Sequence, residues 1–318
     1  MVFENIIHAI PGWMNSEGPE SGIVISSRAR LARNIPGYPY AHRASEGRLG
    51  EIVETVLDAS SASGFDSSRF IRNEELDDLQ KSILVERHLI SPALVAQGGS
   101  RGVLVIGEES SSILVNEEDH LRIQSMSSGL NPLRAWEEVD SLDDRLARAI
   151  PFSFSRRFGY LTACPTNLGT GLRISILIHL PAIALTNDIP RMVRSAAQIG
   201  LAVRGCRGEG SDVVGNLFQV SNQASLGKTE REILEEISTA AQKIIEYEKR
   251  AAETLVKEAK SQIEDKIYRS VGILKSARVL STGELMNLGS AVRLGLFLGM
   301  LSRPDLRSLN ELTVMAQP

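Results

Sequence analysis

Short apolar runs separated by polar turns dominate the first two-thirds of the chain and predict strands. The runs at 102–106 and 112–115 flank a turn rich in Glu and Ser, which predicts an antiparallel hairpin. Further strands are predicted at 158–163, 201–204 and 217–220. Apolar residues between Leu172 and Leu180 recur at helical spacing after a glycine turn, so a helix is predicted over 169–180.

The pattern becomes helical after Gly227. Thr229-x-x-Glu232 is a capping box in front of a long amphipathic stretch, and Ser281-x-x-Glu284 opens a second helix in the same way. This change of pattern places a domain boundary near residue 226. The two predicted domains are therefore 1–226 and 227–318.

Composition and charge are those of a globular protein. Of the 318 residues, 42% are hydrophobic and 23% are charged, and the formal net charge is −4. The apolar run at 294–301 is too short to span a bilayer, and the N-terminus lacks the features of a signal peptide. The two cysteines, Cys164 and Cys206, are too few for a disulfide framework and fit a reducing compartment. We therefore expect a cytoplasmic protein that binds neither nucleic acid nor membrane.

Five short motifs place arginine beside a carboxylate, a thiol or a glycine turn. They are Ser26-Ser27-Arg28-Ala29-Arg30, Asn116-Glu117-Glu118-Asp119-His120-Leu121-Arg122, Cys164-Pro165-Thr166-Asn167-Leu168-Gly169-Thr170-Gly171-Leu172-Arg173, Arg204-Gly205-Cys206-Arg207-Gly208-Glu209 and Ser221-Asn222-Gln223. Their order and internal spacing resemble those of the ATP:guanido phosphotransferases, the family of creatine and arginine kinases. The resemblance implies an α+β fold, in which a phosphagen-kinase-like catalytic domain with a mainly antiparallel sheet flanked by helices precedes an all-helical C-terminal domain.

The arginines of these motifs suit the chemistry of ATP. Phosphoryl transfer requires charge neutralisation and in-line alignment, and the planar guanidinium gives bidentate contacts to phosphate oxygens. The resemblance implies ATP and Mg²⁺ as cofactors, with Glu117 reaching the metal through water. The residues that it assigns to ATP are Ser27, Arg28, Arg30, His88, Arg122, Arg173, Arg204 and Arg207. Taken singly, each arginine could equally be a solvated surface residue, and His88 a helix-surface histidine.

The acceptor in this family is a guanidinium, which is protonated and delocalised and therefore a poor nucleophile. Two carboxylates can orient it and take a proton from it as it attacks. The resemblance implies that Glu118 and Glu209 are these carboxylates, although a solvated acidic turn is the plain alternative for Glu118. It also implies that Cys164 pairs with the guanidinium. A thiolate near arginines and a helix N-terminus suits that role, whereas a buried cysteine is usually inert packing.

The placement of the motifs favours one branch of the family. Kinases of small guanidino metabolites carry an extra helical domain before the first motif, whereas Arg28 lies close to the start of this chain. Together with the short sequence segments at 86–92 and 309–312 and the helical tail, this arrangement resembles that of the bacterial protein arginine kinases of the McsB family. A small-molecule guanidino (arginine) kinase and a catalytically silent adaptor are the alternatives.

That resemblance implies a set of partners. The substrates would be proteins with exposed arginines, including a stress-response repressor and misfolded proteins, which phosphorylation marks for regulation or for an ATP-dependent protease. An activator protein and a homodimer are also implied. In this family a basic Arg-Asp-x-x-Arg-Ala segment that binds phosphoarginine follows the position of Pro318, the last residue here.

Overall fold

The computed structural model describes residues 11–66, 69–107, 109–205 and 214–315. Its strands are β1 (Val24–Arg33), β2 (Phe70–Arg72), β3 (Gly102–Ile106), β4 (Ser111–Val115), β5 (Leu121–Ser128), β6 (Phe154–Ser155), β7 (Gly159–Tyr160), β8 (Leu172–His179), β9 (Leu201–Gly205) and β10 (Leu217–Asn222). Eight of them form one antiparallel sheet in the order β2-β3-β4-β5-β1-β8-β10-β9, and β6 and β7 form a separate ribbon.

Helices cover the sheet and make up the C-terminal part. They are α1 (Glu46–Ala62), α2 (Asp78–Glu86), α3 (Pro92–Val95), α4 (Pro132–Ala147), α5 (Pro181–Leu185), α6 (Ile189–Gln198), α7 (Glu230–Glu258), α8 (Lys260–Ser276), α9 (Thr282–Phe297) and α10 (Leu306–Met315). A 3₁₀ turn, Gly12–Met14, precedes the first strand, and another, Pro165–Asn167, precedes β8. None of these helices is long and apolar enough to cross a bilayer.

Alternation along the strands gives the sheet an apolar face and a largely polar face. In β8, residues 172, 174, 176 and 178 are Leu or Ile, and all four are buried. They share one core with Leu31 of β1, Ile123 of β5 and the apolar stripes of α4 and α7. The alternate residues of the same strands project to the opposite face.

The helix α7 belongs to this core although it follows the predicted boundary at residue 226. It starts at a capping box, in which Thr229 Oγ1 accepts the Glu232 backbone N–H and Glu232 accepts the Thr229 backbone N–H. Its residues Ile233, Ile237 and Ala241 are buried with the aliphatic residues of the sheet. The division into 1–226 and 227–318 stays a prediction.

The predicted α+β class is confirmed, and most predicted elements lie where they were expected. β3 and β4 form the predicted hairpin, β9 and β10 match their apolar runs, and α7 and α9 begin at the predicted N-caps. The helix predicted over 169–180 is wrong, because the segment forms β8, whose aliphatic residues recur every second position. The strand predicted over 158–163 is confined to Gly159–Tyr160.

A buried ion pair joins the first strand to the helix packed against it. The Arg33 guanidinium donates to Asp143 of α4 at 3.1 and 2.7 Å, and the two side chains are 2% and 8% exposed. Arg33 Nη1 also donates to the Thr170 carbonyl at 2.9 Å, and its guanidinium lies 3.5 Å from the ring centre of Tyr160. Arg33 therefore fixes the segment between β7 and β8 against the sheet.

We expect Asp143→Ala to lower the free energy of unfolding by about 3–5 kcal/mol, because it leaves the buried Arg33 cation without its counter-ion. Urea denaturation measures this loss. The matched control is Arg134→Ala on the same helix, since Arg134 forms an exposed pair with Glu138 that contributes about 0–1 kcal/mol. Equal losses in the two variants would contradict the stabilising role of the buried pair.

Candidate active site

The strand register gathers the predicted arginines on the polar face of the sheet. Residues paired across antiparallel strands share a face. Arg30 of β1 pairs with Arg173 of β8 on one side and with Gln124 of β5 on the other. Arg28 lies two residues before Arg30 and Arg122 two residues before Gln124, so both point the same way. Four arginines from three neighbouring strands therefore converge.

The fifth predicted arginine joins this surface from the edge strand. Gln219 of β10 pairs with Arg204 of β9 and with Leu177 of β8, which places all three on the same face. The Gln219 side chain also accepts a hydrogen bond from Arg28 Nη2 at 3.2 Å. Arg204 is exposed, so this side of the cluster is open to solvent.

The cluster holds several half-buried cations close together. Burial, and then repulsion from Arg122 and Arg173, lowers the pKa of Arg28 to about 10. The pKa of Arg30 is lowered well below its usual value, first by burial and then by the neighbouring arginines. The buried Nε of Arg30 has no hydrogen-bond partner in the described part of the chain. Converging cations with an unused buried donor favour a bound polyanion.

A cavity of about 660 Å³ lies beside the cluster and has two chemically different ends. The cationic end carries Arg28, Arg30, Arg122 and Arg204. The apolar end carries Trp13, Met14, Leu177 and Leu217. A ligand that joins a polyanion to a planar apolar group matches both ends, and the volume is typical of small-molecule sites.

The acidic motif forms the tight turn between β4 and β5. Glu117 is buried, and its Oε1 lies 2.6 Å from Arg122 Nη1, so it is a counter-ion to one arginine of the cluster. Ser91 donates to the same oxygen, and Glu117 Oε2 accepts the Glu118 backbone N–H at 3.2 Å. The Glu117 carboxylate is therefore held at the edge of the arginine cluster.

Glu118 and Cys164 meet at the open side of this turn. The Cys164 thiol lies 3.1 Å from Thr166 Oγ1 and is close enough to the Glu118 carboxylate to act on its pKa, and 44% of the Glu118 side chain remains exposed. Partial burial, and then the nearby Asp119 carboxylate, raises the pKa of Glu118. Arg122 Nη2 lies 3.7 Å from Glu118 Oε2. An accessible carboxylate with a raised pKa, next to a cationic cluster, is suited to accept a proton from a bound substrate.

Buried polar contacts fix the acidic turn against the cysteine loop. Asp119 Oδ1 accepts hydrogen bonds from Asn34 Nδ2 and from the Ala163 backbone N–H, both at 2.6 Å. Asn34 follows β1 and Ala163 precedes Cys164, so one carboxylate joins three motif segments. His120 is buried behind the turn, and both of its ring nitrogens lie within hydrogen-bond distance of backbone groups.

His88 lies at the apolar end of the cavity. Its ring centre is 5.4 Å from that of Trp13, and its backbone carbonyl accepts a hydrogen bond from Gln124 Nε2. Burial, and then the charges of Arg28 and Arg30, lowers the pKa of His88 to about 3. The ring is therefore neutral at physiological pH and is suited to contact an aromatic base.

The structure does not bring Ser27 to the arginine cluster, which corrects its expected contact with ATP. Successive strand residues point to opposite faces, so Ser27 lies on the face opposite Arg28. Its hydroxyl donates to the Gly129 carbonyl at 2.8 Å and accepts the Asn131 backbone N–H at 2.9 Å, at the start of α4. Ser26 is the serine of this motif that shares the face of Arg28, and the period of two could have identified it.

Two further predicted residues, Arg207 and Glu209, lie outside the described residues. In the described ranges, no group of three or more His, Cys, Asp or Glu side chains is placed to hold a metal ion.

The Ser221-Asn222-Gln223 motif is partly structural, since the Asn222 amide accepts the Ile174 backbone N–H and donates to the Leu172 carbonyl.

Sequence reasoning missed several cavity residues. Gln124 and Gln219 follow from strand period and register once the arginines are placed. Trp13 carries no such signal, because it lies in a short 3₁₀ turn outside the five motifs. Its place in the cavity depends on long-range packing against β1 and β5.

Comparisons with known proteins agree with this geometry. A model of the ATP:guanido phosphotransferase C-terminal catalytic domain matches residues 48–251, and a model of the protein-arginine kinase McsB C-terminal domain matches residues 260–318. The protein-arginine kinase of Halothermothrix orenii is 44% identical over 318 residues, which cover 100% of this chain and 90% of that protein. The protein-arginine kinase of Bacillus subtilis is 41% identical over 313 residues, or 98% and 86% of the two chains.

Solved structures show the same fold. The duplicated taurocyamine kinase of Schistosoma mansoni, with bound transition state analog components, is similar with a TM-score of 0.66 and 23% identity over 76% of this chain and 36% of that chain. Lombricine kinase is similar with a TM-score of 0.61 and 24% identity over 77% and 70% of the two chains.

The fold and the domain match show that the chain belongs to the ATP:guanido phosphotransferase family. The predicted membership is thereby confirmed. Within that family it belongs to the protein-arginine kinases, whose full-length members it matches along nearly its whole length.

We expect Arg30→Met to raise the free energy of unfolding of the ligand-free protein by about 1–4 kcal/mol while lowering kcat by about 10²–10³-fold. The substitution removes a half-buried cation that its neighbours repel and, with it, a guanidinium donor of the cluster. Urea denaturation and an ATP-dependent phosphotransfer assay measure the two effects. Arg231→Met is the control, because Arg231 is exposed on α7. A destabilised Arg30→Met variant with full activity would contradict this description of the cluster.

Proposed function

We propose that the chain transfers the γ-phosphoryl group of ATP to the guanidinium of arginine side chains in proteins, with the cluster of Arg28, Arg30, Arg122, Arg173 and Arg204 holding the phosphates. The observation that carries this proposal is the convergence of these cations around a buried donor, Arg30 Nε, without a hydrogen-bond partner among the described residues. Phosphoryl transfer depends on such positioning and charge neutralisation.

The two ends of the cavity support ATP as the donor. The polyphosphate matches the cationic end, and the base matches the apolar end near the neutral His88 ring. Guanidinium groups stay charged throughout the reaction and bind phosphate oxygens bidentately. The cluster would thus both bind the triphosphate and stabilise the charge that shifts towards ADP.

Mg²⁺ would enter with the nucleotide, and Glu117 is the described carboxylate that fits it best. Both Glu117 oxygens already accept hydrogen bonds, from Arg122, Ser91 and the Glu118 backbone. Oε1 accepts two of these bonds and Oε2 accepts one, so Oε2 keeps a lone pair that suits contact through a metal-bound water. Bound to the phosphates, Mg²⁺ supplies charge neutralisation.

Glu118 and Cys164 would receive the acceptor guanidinium. One guanidinium nitrogen attacks the γ-phosphorus, the bond from that phosphorus to the β,γ-bridging oxygen breaks, and ADP leaves. The proton of the attacking nitrogen passes to Glu118. Cys164, next to Glu118, would orient the guanidinium. Glu209 as a second carboxylate and Arg207 as a phosphate ligand stay predictions.

The similarity to protein-arginine kinases supports protein arginine as the acceptor. The exposed edge of the site at Glu118 and Arg204 leaves room for a polypeptide to approach. From the family resemblance we further propose cytoplasmic action on a stress-response repressor and on misfolded proteins, linked to an ATP-dependent protease and an activator protein. A homodimer is part of the same proposal.

We expect Glu118→Gln to lower kcat by about 10²–10⁴-fold while ATP affinity stays within about threefold, because the amide cannot accept the proton. The pKa of Glu118 is raised, so wild-type activity should fall as the pH drops through that raised value and protonates the base. Rate profiles against pH and equilibrium dialysis with ATP measure both effects. Glu235→Gln on the exposed face of α7 is the control. A fully active Glu118→Gln variant would exclude Glu118 as the base.

We expect Cys164→Ser to fold normally and to lose at least about tenfold in kcat, since the smaller hydroxyl loses the sulfur contact that aligns the guanidinium. The chain contains one other cysteine, and Cys206→Ser is therefore the matched control. Steady-state phosphorylation of a protein substrate measures the loss. Identical rates in both serine variants would leave Cys164 as a packing residue.

We expect protein arginines to react at least about a hundredfold faster in kcat/KM than free arginine, a difference of about 2.7 kcal/mol in transition-state binding. The polypeptide around a protein arginine supplies remote contacts that align the guanidinium, and free arginine lacks them. Acid-labile phosphate formed on each acceptor measures the ratio. If free arginine reacted equally well, the small-molecule kinase alternative would replace protein phosphorylation.

A further inference from the structure

We propose that Trp13 contacts the nucleoside of ATP and that the C-terminal helices, through Arg293 of α9 and Asn310 of α10, hold it in that position. This inference rests on the proposed ATP site and concerns its apolar end. It assigns to the helical segment a direct part in nucleotide affinity.

Trp13 has the properties of an unsatisfied ligand-binding residue. Its side chain is buried with 3% exposure and lines the cavity. Its indole Nε1, which can only donate, has no hydrogen-bond partner within the described ranges. A buried donor without an acceptor is unfavourable, and an acceptor on a bound ligand would remove that cost.

The surroundings of the indole fit the base of a nucleotide. The Trp13 and His88 rings are tilted by 46° at a centre-to-centre distance of 5.4 Å, so they border the cavity as two walls and do not stack on each other. Leu177 and Leu217 add apolar surface beside the indole. A purine is planar, has apolar faces and carries acceptor nitrogens on its edge. It therefore matches the rings, the leucines and the unused N–H together.

Hydrogen bonds from one buried amide secure the turn that carries Trp13. Asn310 Nδ2 donates to the Met14 carbonyl and to Ser16 Oγ, each at 2.9 Å. Arg293 Nη1 in turn donates to Asn310 Oδ1 at 2.7 Å, which fixes the orientation of the amide. The turn before β1 is thus attached to α9 and α10.

Arg293 extends this attachment to the chain that leads into β1. Its Nη2 donates to the Ser21 carbonyl at 2.8 Å and its Nε to the Gly22 carbonyl at 3.4 Å. Arg293 is 4% exposed, and the recorded partners of its guanidinium are neutral. Burying a cation without a counter-ion costs desolvation free energy. An apolar side chain could fill the same space without that cost. Both residues also border the cavity, and in this inference they are positioning residues that act on the nucleoside through Trp13.

The same helix also reaches the strand that borders the cavity. Asn287 accepts the Gly215 backbone N–H at 3.0 Å, and Ser290 Oγ lies 2.8 Å from Asn216 Nδ2. Gly215 and Ser290 line the cavity themselves. A shift of α9 would therefore displace two walls of the apolar end, the turn with Trp13 and the start of β10.

Fluorescence tests the contact directly, because the chain has two tryptophans. In a Trp136→Phe protein, whose activity is checked first, Trp13 is the sole indole. We expect saturating ATP to change its emission, with a half-maximal concentration equal to the Kd from equilibrium dialysis. The matched Trp13→Phe protein, which retains Trp136, should show no ATP-dependent change and a KM for ATP raised by about tenfold.

The positioning role is tested by Asn310→Leu, which keeps the branched shape and the number of non-hydrogen side-chain atoms and removes the hydrogen bonds. We expect a KM for ATP raised by about five- to tenfold, with the KM for the protein substrate and kcat each within about threefold. Arg307→Ala, in an exposed ion pair on the same helix, is the control and should change none of these values. A role confined to folding would lower kcat through the active fraction and leave both KM values unchanged.

Two results would overturn the inference while leaving the proposed function in place. One is unchanged Trp13 emission at ATP concentrations where dialysis shows full binding. The other is an unchanged KM for ATP in both Trp13→Phe and Asn310→Leu. If dialysis showed no ATP binding to the wild-type protein, the proposed ATP site itself would fail, which is a separate outcome. Should Asn310→Leu not fold, Ser16→Ala removes one of the same hydrogen bonds and tests the same expectation.

Discussion

Repulsion between half-buried arginines is the constraint on which the rest of the structure depends. The register of β1, β5 and β8 places Arg28, Arg30, Arg122 and Arg173 within one patch of the sheet. Burial and mutual repulsion lower the pKa values of Arg28 and Arg30. Keeping both side chains charged therefore lowers the stability of the ligand-free fold. Only a rigid scaffold keeps such groups together, and a polyanion relieves the repulsion that the scaffold maintains.

The scaffold gains that rigidity from the opposite face of the same strands. Every second residue of β1, β5 and β8 packs into one apolar core with α4 and α7, which fixes the register and thereby the arginines. Buried polar contacts then attach the loops of the candidate site to this frame. Arg33 holds the segment before β8, and Asp119 joins the acidic turn to Ala163, next to Cys164. Stability on one face is thus what permits an unfavourable charge arrangement on the other.

The sequence predicted the site chemistry better than its geometry. The motifs identified the arginines, Glu118 and Cys164, because each motif carries its chemistry in a few adjacent residues. The helix predicted over 169–180 was wrong because Leu172 to His179 can be read with either period, and only sheet pairing decides. Motif matching assigned Ser27 to ATP without regard to strand alternation, which puts its side chain on the face opposite Arg28. Trp13 was missed because it lies outside the motifs, in a turn that is held by long-range contacts such as the hydrogen bond from Asn310 to the Met14 carbonyl.

The phosphates of a bound nucleotide would relieve the charge repulsion among the arginines. The most direct test measures the unfolding free energy of the wild-type protein alone, in the presence of inorganic tripolyphosphate, and in the presence of adenosine. Tripolyphosphate at a hundred times its Kd should add about 2.7 kcal/mol, and Arg30→Met should lose most of that gain. Adenosine at the same concentration as tripolyphosphate should add far less. If adenosine stabilised the protein as much as tripolyphosphate, or if tripolyphosphate had no effect, then phosphates would not relieve the repulsion among the arginines.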